Sequence, residues 1–168
     1  MISVSRYLKI FCFCALFLDF PLPAQAEVED GAHVDPAIVE SLMFWVEKEL
    51  GVKVPVPPQV IASRKSFDKI IGRMEARYAG RPQSIYVPGK VYMDSSRWDP
   101  EDYVQISLLV HELVHHAQMF MPGRAWACQR EKEILAYNLQ NKWLEQNGHY
   151  PFANDAWIKR VSSCPEKR

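Results

Sequence analysis

Hydrophobic residues recur at helical spacing in several long stretches of the chain. The first predicted helix begins at Asp35-Pro36, an N-cap residue followed by a proline in the first turn, and ends at Gly51. Its apolar face is formed by Ile38, Leu42, Trp45, Val46 and Leu50. A second helix is predicted from Ser63 or Ser66 through Met74 and Tyr78, ending near Gly80.

Shorter apolar stretches indicate β-structure between the helices. Ser84 to Val87 and Lys90 to Met93 flank Pro88-Gly89, a pattern typical of a β-hairpin with a tight turn. Val60 to Ala62 is a candidate for one further short strand, whereas the polar residues 27–34 are predicted to form a flexible arm.

Helical periodicity returns in the second half of the chain. Asp99-Pro100 is predicted to cap a helix that runs to about Phe120, and a further helix spans roughly Gln129 to Asn147. A short helix is predicted from Asn154 to Val161. The pattern therefore predicts an α+β fold, with helices packed around a small antiparallel β-hairpin.

Length and charge favour one domain without a nucleic-acid partner. The 168 residues include 20 basic and 20 acidic side chains, so no excess of positive charge indicates a nucleic-acid partner. Arg6 and Lys9, an apolar run over 10–18 and the small-residue site Ala24-Gln25-Ala26 predict a secretory signal peptide over residues 1–26. We expect residues 27–168 to form a periplasmic or secreted domain with no membrane span.

Removal of the signal peptide would leave two cysteines, Cys128 and Cys164. An even pair in an exported protein predicts a disulfide bond. The alternative is that Cys128 ligates a metal ion, because it follows a histidine-rich helix.

That helix carries the motif His111-Glu112-Leu113-Val114-His115. Residues four apart lie on one helical face, so both imidazoles can bind one tetrahedral zinc ion. Glu112 is rotated about 100° from His111 and cannot easily bind the same ion. It can, however, act as a general base on a zinc-bound water, which predicts a catalytic metal site.

A third protein ligand is expected for catalytic zinc. In one large class it is a histidine six residues after the motif, but Met121 occupies that position here. The remaining candidates are Glu131 and Glu133 on the following helix. Glu133 is favoured because it shares a face with Ala136, whose small side chain would allow two helices to approach closely. Both glutamates could instead be ordinary surface charges.

The motifs together resemble a known class of enzymes. The hairpin, the sequence Leu-Val-His-Glu-Leu-Val-His-His-x-Gln and the later Glu-x-x-Ala-Tyr-x-x-Gln-x-x-Trp are similar to a minimal gluzincin-type zinc metallopeptidase domain. They are most similar to a small group of exported bacterial proteins of unknown function. The resemblance covers about Ser84 to Leu144. It implies a zincin-like domain, zinc on His111, His115 and Glu133, and Glu112 as general base.

The expected function is therefore zinc-dependent hydrolysis of peptide or protein substrates outside the cytoplasm. Tyr137 and His149 are candidates for stabilising the oxyanion of a tetrahedral intermediate. The hairpin edge could pair with an extended substrate. Two alternatives remain open: an inactive zincin-like domain that binds metal or a partner, and a domain in which zinc only stabilises the fold.

Overall fold

A computed structural model describes residues 32–72 and 82–165. The predicted signal peptide and the second half of the second predicted helix, with Met74 and Tyr78, lie outside these residues. The helices and strands in chain order are β1 (Ala32–His33), α1 (Pro36–Leu50), β2 (Gln59–Ala62), α2 (Arg64–Gly72), β3 (Ser84–Val87), β4 (Lys90–Met93), α3 (Tyr103–Ala117), α4 (Lys132–Gln146) and α5 (Asp155–Ser162). Short 3-10 turns cover Gln118–Phe120 and Gln129–Glu131.

The predicted α+β fold class is confirmed, and the hairpin of β3 and β4 is antiparallel as expected. The hairpin belongs to a larger, mixed sheet with strand order β1-β2-β4-β3. β2 runs parallel to β4, with Ile61 opposite Tyr92, and β1 pairs antiparallel with β2. The flexible-arm prediction was wrong for Ala32 and His33, because the edge of β2 supplies hydrogen-bonding partners that local sequence does not reveal.

The helix starts agree with the sequence except at α3 and at α4, which begins at Lys132 after a 3-10 turn over Gln129–Glu131. The side chain of Asp102, not that of Asp99, caps α3 by accepting a hydrogen bond from the Val104 N–H at 2.8 Å. The Asp99 carboxylate accepts the N–H of Glu101 instead and closes a separate turn. The prediction of Asp99 as N-cap was therefore wrong. Two aspartates three residues apart satisfy the same local rule, and only one can precede the first helical residue.

Helix α3 lies at the centre of the domain. It packs against α4, α1, the hairpin strands and, at its end, the following 3-10 turn. Its apolar residues Leu109, Val110, Leu113, Val114 and Ala117 have no exposed surface. A helix buried on nearly all sides has little room for polar groups without partners, so the polar residues on α3 require a specific explanation.

The C-terminal part is joined covalently to the start of α4. The predicted Cys128–Cys164 disulfide is present, with a Cα–Cα distance of 5.8 Å. It links the chain just before α4 to the segment that follows α5, and α5 also packs on α4. Cys128 is therefore not available as a metal ligand in this state. None of the helices within 32–72 and 82–165 has both the length and the apolar character needed to cross a bilayer.

Candidate metal centre

Three side chains from α3 and α4 converge at one point. The Nε2 atoms of His111 and His115 lie 3.2 Å apart. Glu133 places one carboxylate oxygen 3.2 Å from His111 Nε2 and the other 3.4 Å from His115 Nε2. Ligands bound at about 2.0–2.1 Å to one tetrahedral zinc ion are themselves roughly 3.3–3.5 Å apart. The spacing of these three groups therefore fits a single metal ion, and the cluster could hold one.

The local structure explains why these residues meet. His111 and His115 are one turn apart on α3, and Glu133 is in the first turn of α4, where the helix dipole favours a carboxylate. Ala136, one turn after Glu133, is completely buried. Its small side chain lets α4 approach α3 closely, as the sequence suggested.

The ionisable groups of the cluster each favour the charged form of the others. Burial alone would raise the pKa of Glu133, but hydrogen bonds from His111 and His115 outweigh it and hold that pKa far below its usual value. Burial likewise opposes protonation of His115, whereas the hydrogen bond and negative charge of Glu133 raise its pKa above 6.5. A carboxylate that stays ionised beside two imidazoles is a suitable site for a divalent cation.

Each histidine contacts a glutamine through the ring nitrogen that faces away from the cluster. His111 Nδ1 lies 3.1 Å from Gln140 Oε1, and His115 Nδ1 lies 3.1 Å from Gln118 Oε1. An outer hydrogen bond of this kind is typical of metal-ligating histidine. Gln118 also joins the end of α3 to the start of α4, because its Nε2 donates to the carbonyl oxygen of Lys132.

Glu112 lies beside the ligand cluster but is not part of it. Its Oε1 accepts a hydrogen bond of 2.7 Å from the Ser84 hydroxyl, and its residue surface is only 7 % exposed. Ser84 is the first residue of β3 and was not identified as a site residue from the sequence. No local pattern links it to Glu112, because the contact depends on how the sheet packs against α3.

The two glutamates considered as third ligand have different surroundings. Glu133 contacts both histidines. Glu131 instead accepts the N–H of Ala127 at 2.5 Å and stabilises the turn before α4. The structure therefore brings Glu133, and not Glu131, to the cluster.

The two oxyanion candidates also differ in position. The Tyr137 ring packs edge-on against His111, with ring centroids 4.5 Å apart. His149 stacks on Tyr103 at 3.7 Å, at the opposite end of α3 and about two helical turns from His111. His149 is thus not brought to the cluster, so the structure gives the oxyanion hypothesis no support at that residue.

His116 faces away from the cluster. Its Nε2 lies 2.9 Å from the backbone oxygen of Val56, and its Nδ1 lies 3.1 Å from the Tyr86 hydroxyl. This residue therefore joins α3 to the proline-rich segment before β2 and to β3.

Comparison with known proteins identifies the family of this chain. The family described as Domain of unknown function (DUF6647) matches residues 31–168, and the chain belongs to it. No curated protein and no solved structure matches the sequence.

Proposed function

We propose that this member of the DUF6647 family is a zinc-dependent peptidase. The observation that carries the proposal is the division of roles on α3. Two histidines of one helical face meet Glu133, while Glu112 lies beside them and is held by Ser84 instead of by the cluster. A site that only stabilised the fold would have no use for a carboxylate that lies beside the ion without binding it.

Zinc is the ion that best suits two imidazoles and one carboxylate with a fourth position left for a small molecule. When bound, it would supply Lewis acidity to a water molecule and to a substrate carbonyl. Glu112 would accept the proton of the attacking water and pass it to the leaving amine. Because the Ser84 hydroxyl donates a hydrogen bond to Oε1 of Glu112, the other carboxylate oxygen would accept that proton.

Tyr137 supports the same chemistry from α4. Burial raises the pKa of its hydroxyl, and the negative charges of Glu133 and Glu112 act in the same direction. The hydroxyl would therefore remain protonated at neutral pH and could donate a hydrogen bond to a developing oxyanion. The contact of its ring with His111 supports this role.

The geometry also favours an extended peptide as substrate. β3 is an edge strand of the described sheet, and its first residue contacts Glu112. A peptide that adds to β3 at the edge of the described sheet would run past Glu112, with its main chain held by strand-type hydrogen bonds.

We further propose that the protein acts outside the cytoplasm. The Cys128–Cys164 disulfide and the lack of a membrane-crossing helix among the described residues are compatible with an extracellular protein. The basic and apolar residues of segment 1–26 support export as a signal peptide.

A second candidate function is a domain that binds metal or a partner without turnover. The burial of His111 and Glu112, each 7 % exposed, favours it, because a substrate carbonyl must approach both. Activity measurements separate the two candidates.

The test is digestion of a peptide library by the zinc-loaded protein, with and without a chelator. We expect cleavage that the chelator abolishes and that added zinc restores. Glu112→Gln should retain stoichiometric zinc and lose turnover by about two to four orders of magnitude, since an amide cannot act as a base. Glu131→Gln is the matched control and should cleave normally. Parent-like cleavage by Glu112→Gln would refute the proposal, and zinc binding without any cleavage would favour the second candidate.

A further inference from the structure

Gln118 and Gln140 contact the two histidines from different parts of the fold. Gln118 lies in the 3-10 turn after α3, and Gln140 lies on α4. Both are almost completely buried, at 4 % and 0 % exposed surface. Two buried amides that converge on two neighbouring imidazoles are unlike the ordinary surface glutamine.

The orientation of each amide is fixed by its second hydrogen bond. Gln118 Nε2 donates to the carbonyl oxygen of Lys132 at 2.9 Å, and a carbonyl oxygen can only accept. Gln140 Nε2 donates to Ser107 Oγ at 3.1 Å, whose own proton is given to the Val104 carbonyl. In both cases the amide oxygen must face the histidine.

The tautomer of each imidazole follows from that orientation. An amide oxygen accepts hydrogen bonds, so Nδ1 of His111 and Nδ1 of His115 must carry a proton. In the neutral rings the lone pairs are then on Nε2, and these two atoms face each other at 3.2 Å beside Glu133. Lone pairs and a carboxylate at this distance repel one another unless a cation or proton lies between them.

We propose that Gln118 and Gln140 are positioning residues that set the tautomer and orientation of the two imidazoles for a divalent cation. The amides are neutral, so two imidazoles, Glu133 and a divalent ion carry a net charge of about +1. A carboxylate in place of either amide would add negative charge and make the imidazole a stronger ligand. Neutral amides therefore keep the bound metal ion more electrophilic than carboxylates would, although carboxylates would give tighter metal binding. The inference rests on the metal centre of the proposed function and not on its peptidase activity.

The first test is zinc affinity, measured by competition with a chromogenic chelator. Gln140→Leu should bind zinc about 10–100-fold more weakly than the parent, and Gln140→Glu should bind it more tightly. Opposite effects of two substitutions at one buried position are not expected from a residue that only fills space. Gln105 is the matched control, because it is equally buried on α3 but contacts neither histidine. Gln105→Leu and Gln105→Glu should leave zinc affinity unchanged.

The second test reports the tautomer directly. Nitrogen NMR of the metal-free protein, at a pH well above the histidine range, should show His111 protonated on Nδ1 in the parent. In Gln140→Leu the ring should revert to the Nε2-protonated form that free imidazole side chains prefer. If Gln140→Leu does not fold, Gln118→Leu and Gln118→Glu provide the same comparison at His115.

The outcomes distinguish this inference from the proposed function. Equal zinc affinity and the same tautomer in parent and glutamine variants would overturn the inference and leave the peptidase proposal standing. The expected affinity order in a protein that cleaves no peptide would support the inference and remove the peptidase. A parent protein that binds no zinc would overturn both.

Discussion

Replacement of Glu133 by glutamine should remove one metal ligand with little change in side-chain volume. Both carboxylate oxygens of Glu133 face the histidines, and its side chain is only 29 % exposed. The free energy of zinc binding to a four-ligand site is about 10–16 kcal/mol, which is roughly 2.5–4 kcal/mol for each ligand. We therefore expect Glu133→Gln to weaken zinc binding about 100–1,000-fold.

This loss can be measured as a thermal shift. At a free zinc concentration about 1,000 times the parent Kd, the ion stabilises the parent by about 4.1 kcal/mol. A variant that binds about 100-fold more weakly keeps roughly 1.4 kcal/mol of that stabilisation under the same conditions. The difference of about 2.7 kcal/mol corresponds to roughly 10 °C in Tm for a domain of this size.

The assay is calorimetry of each variant with zinc and with a chelator, so that only the zinc-induced shift is compared. Glu131→Gln is the control, since its carboxylate binds the Ala127 N–H and not the histidines. It should retain the full shift. A full shift in Glu133→Gln together with a reduced shift in Glu131→Gln would refute the ligand assignment.

Three further predictions concern pH, the disulfide and a buried carboxylate. In the metal-free protein, the stability contributed by His115 is fully present below pH 6.5 and is lost as the pH rises through its elevated pKa. With zinc, the stability of the protein should instead increase over this range, because a histidine must lose its proton to bind the ion. Melting curves with and without chelator that follow the same trend above pH 6.5 would contradict this. Replacement of Cys128 and Cys164 by serine should lower the free energy of unfolding by about 2–4 kcal/mol in denaturant titrations, and unchanged stability would show that the bridge does not constrain the chain. Burial opposes ionisation of Asp94, but hydrogen bonds from Ser96 and the charge of Arg64 outweigh it and lower the pKa of Asp94. The contribution of Asp94 to the free energy of unfolding is therefore lost as the pH falls below about 3.8. Asp94→Asn should therefore cost about 1–3 kcal/mol at pH 7 and little in strong acid, which urea unfolding at both pH values can check.

The parts of the fold that follow from local sequence were predictable. The helical spacing of apolar residues and the position of Gly51 define α1, and the Pro88-Gly89 turn defines the hairpin. The meeting of His111, His115 and Glu133 could be predicted for the same reason, because helical periodicity shows which face of each of the two consecutive helices these residues occupy.

The features that were missed depend on contacts between distant segments. β1 is a two-residue strand that exists only because β2 offers an edge, and the Ser84 contact with Glu112 depends on the packing of the sheet against α3. The orientation of Gln140 required knowledge of Ser107 and Val104 one helix away. Periodicity and capping rules describe one element at a time and do not contain this information.

The candidate ligands and the side chain that holds Glu112 lie on different parts of the fold. His111, His115, Glu133 and both positioning glutamines lie on two consecutive helices and the turn after the first. Ser84, which donates to Glu112, lies on β3 at the edge of the described sheet. Because proteins open locally as well as globally, an opening confined to β3 would release Glu112 while the three candidate ligands stay together. The capacity to hold a metal ion and the orientation of Glu112 would then be lost in separate steps.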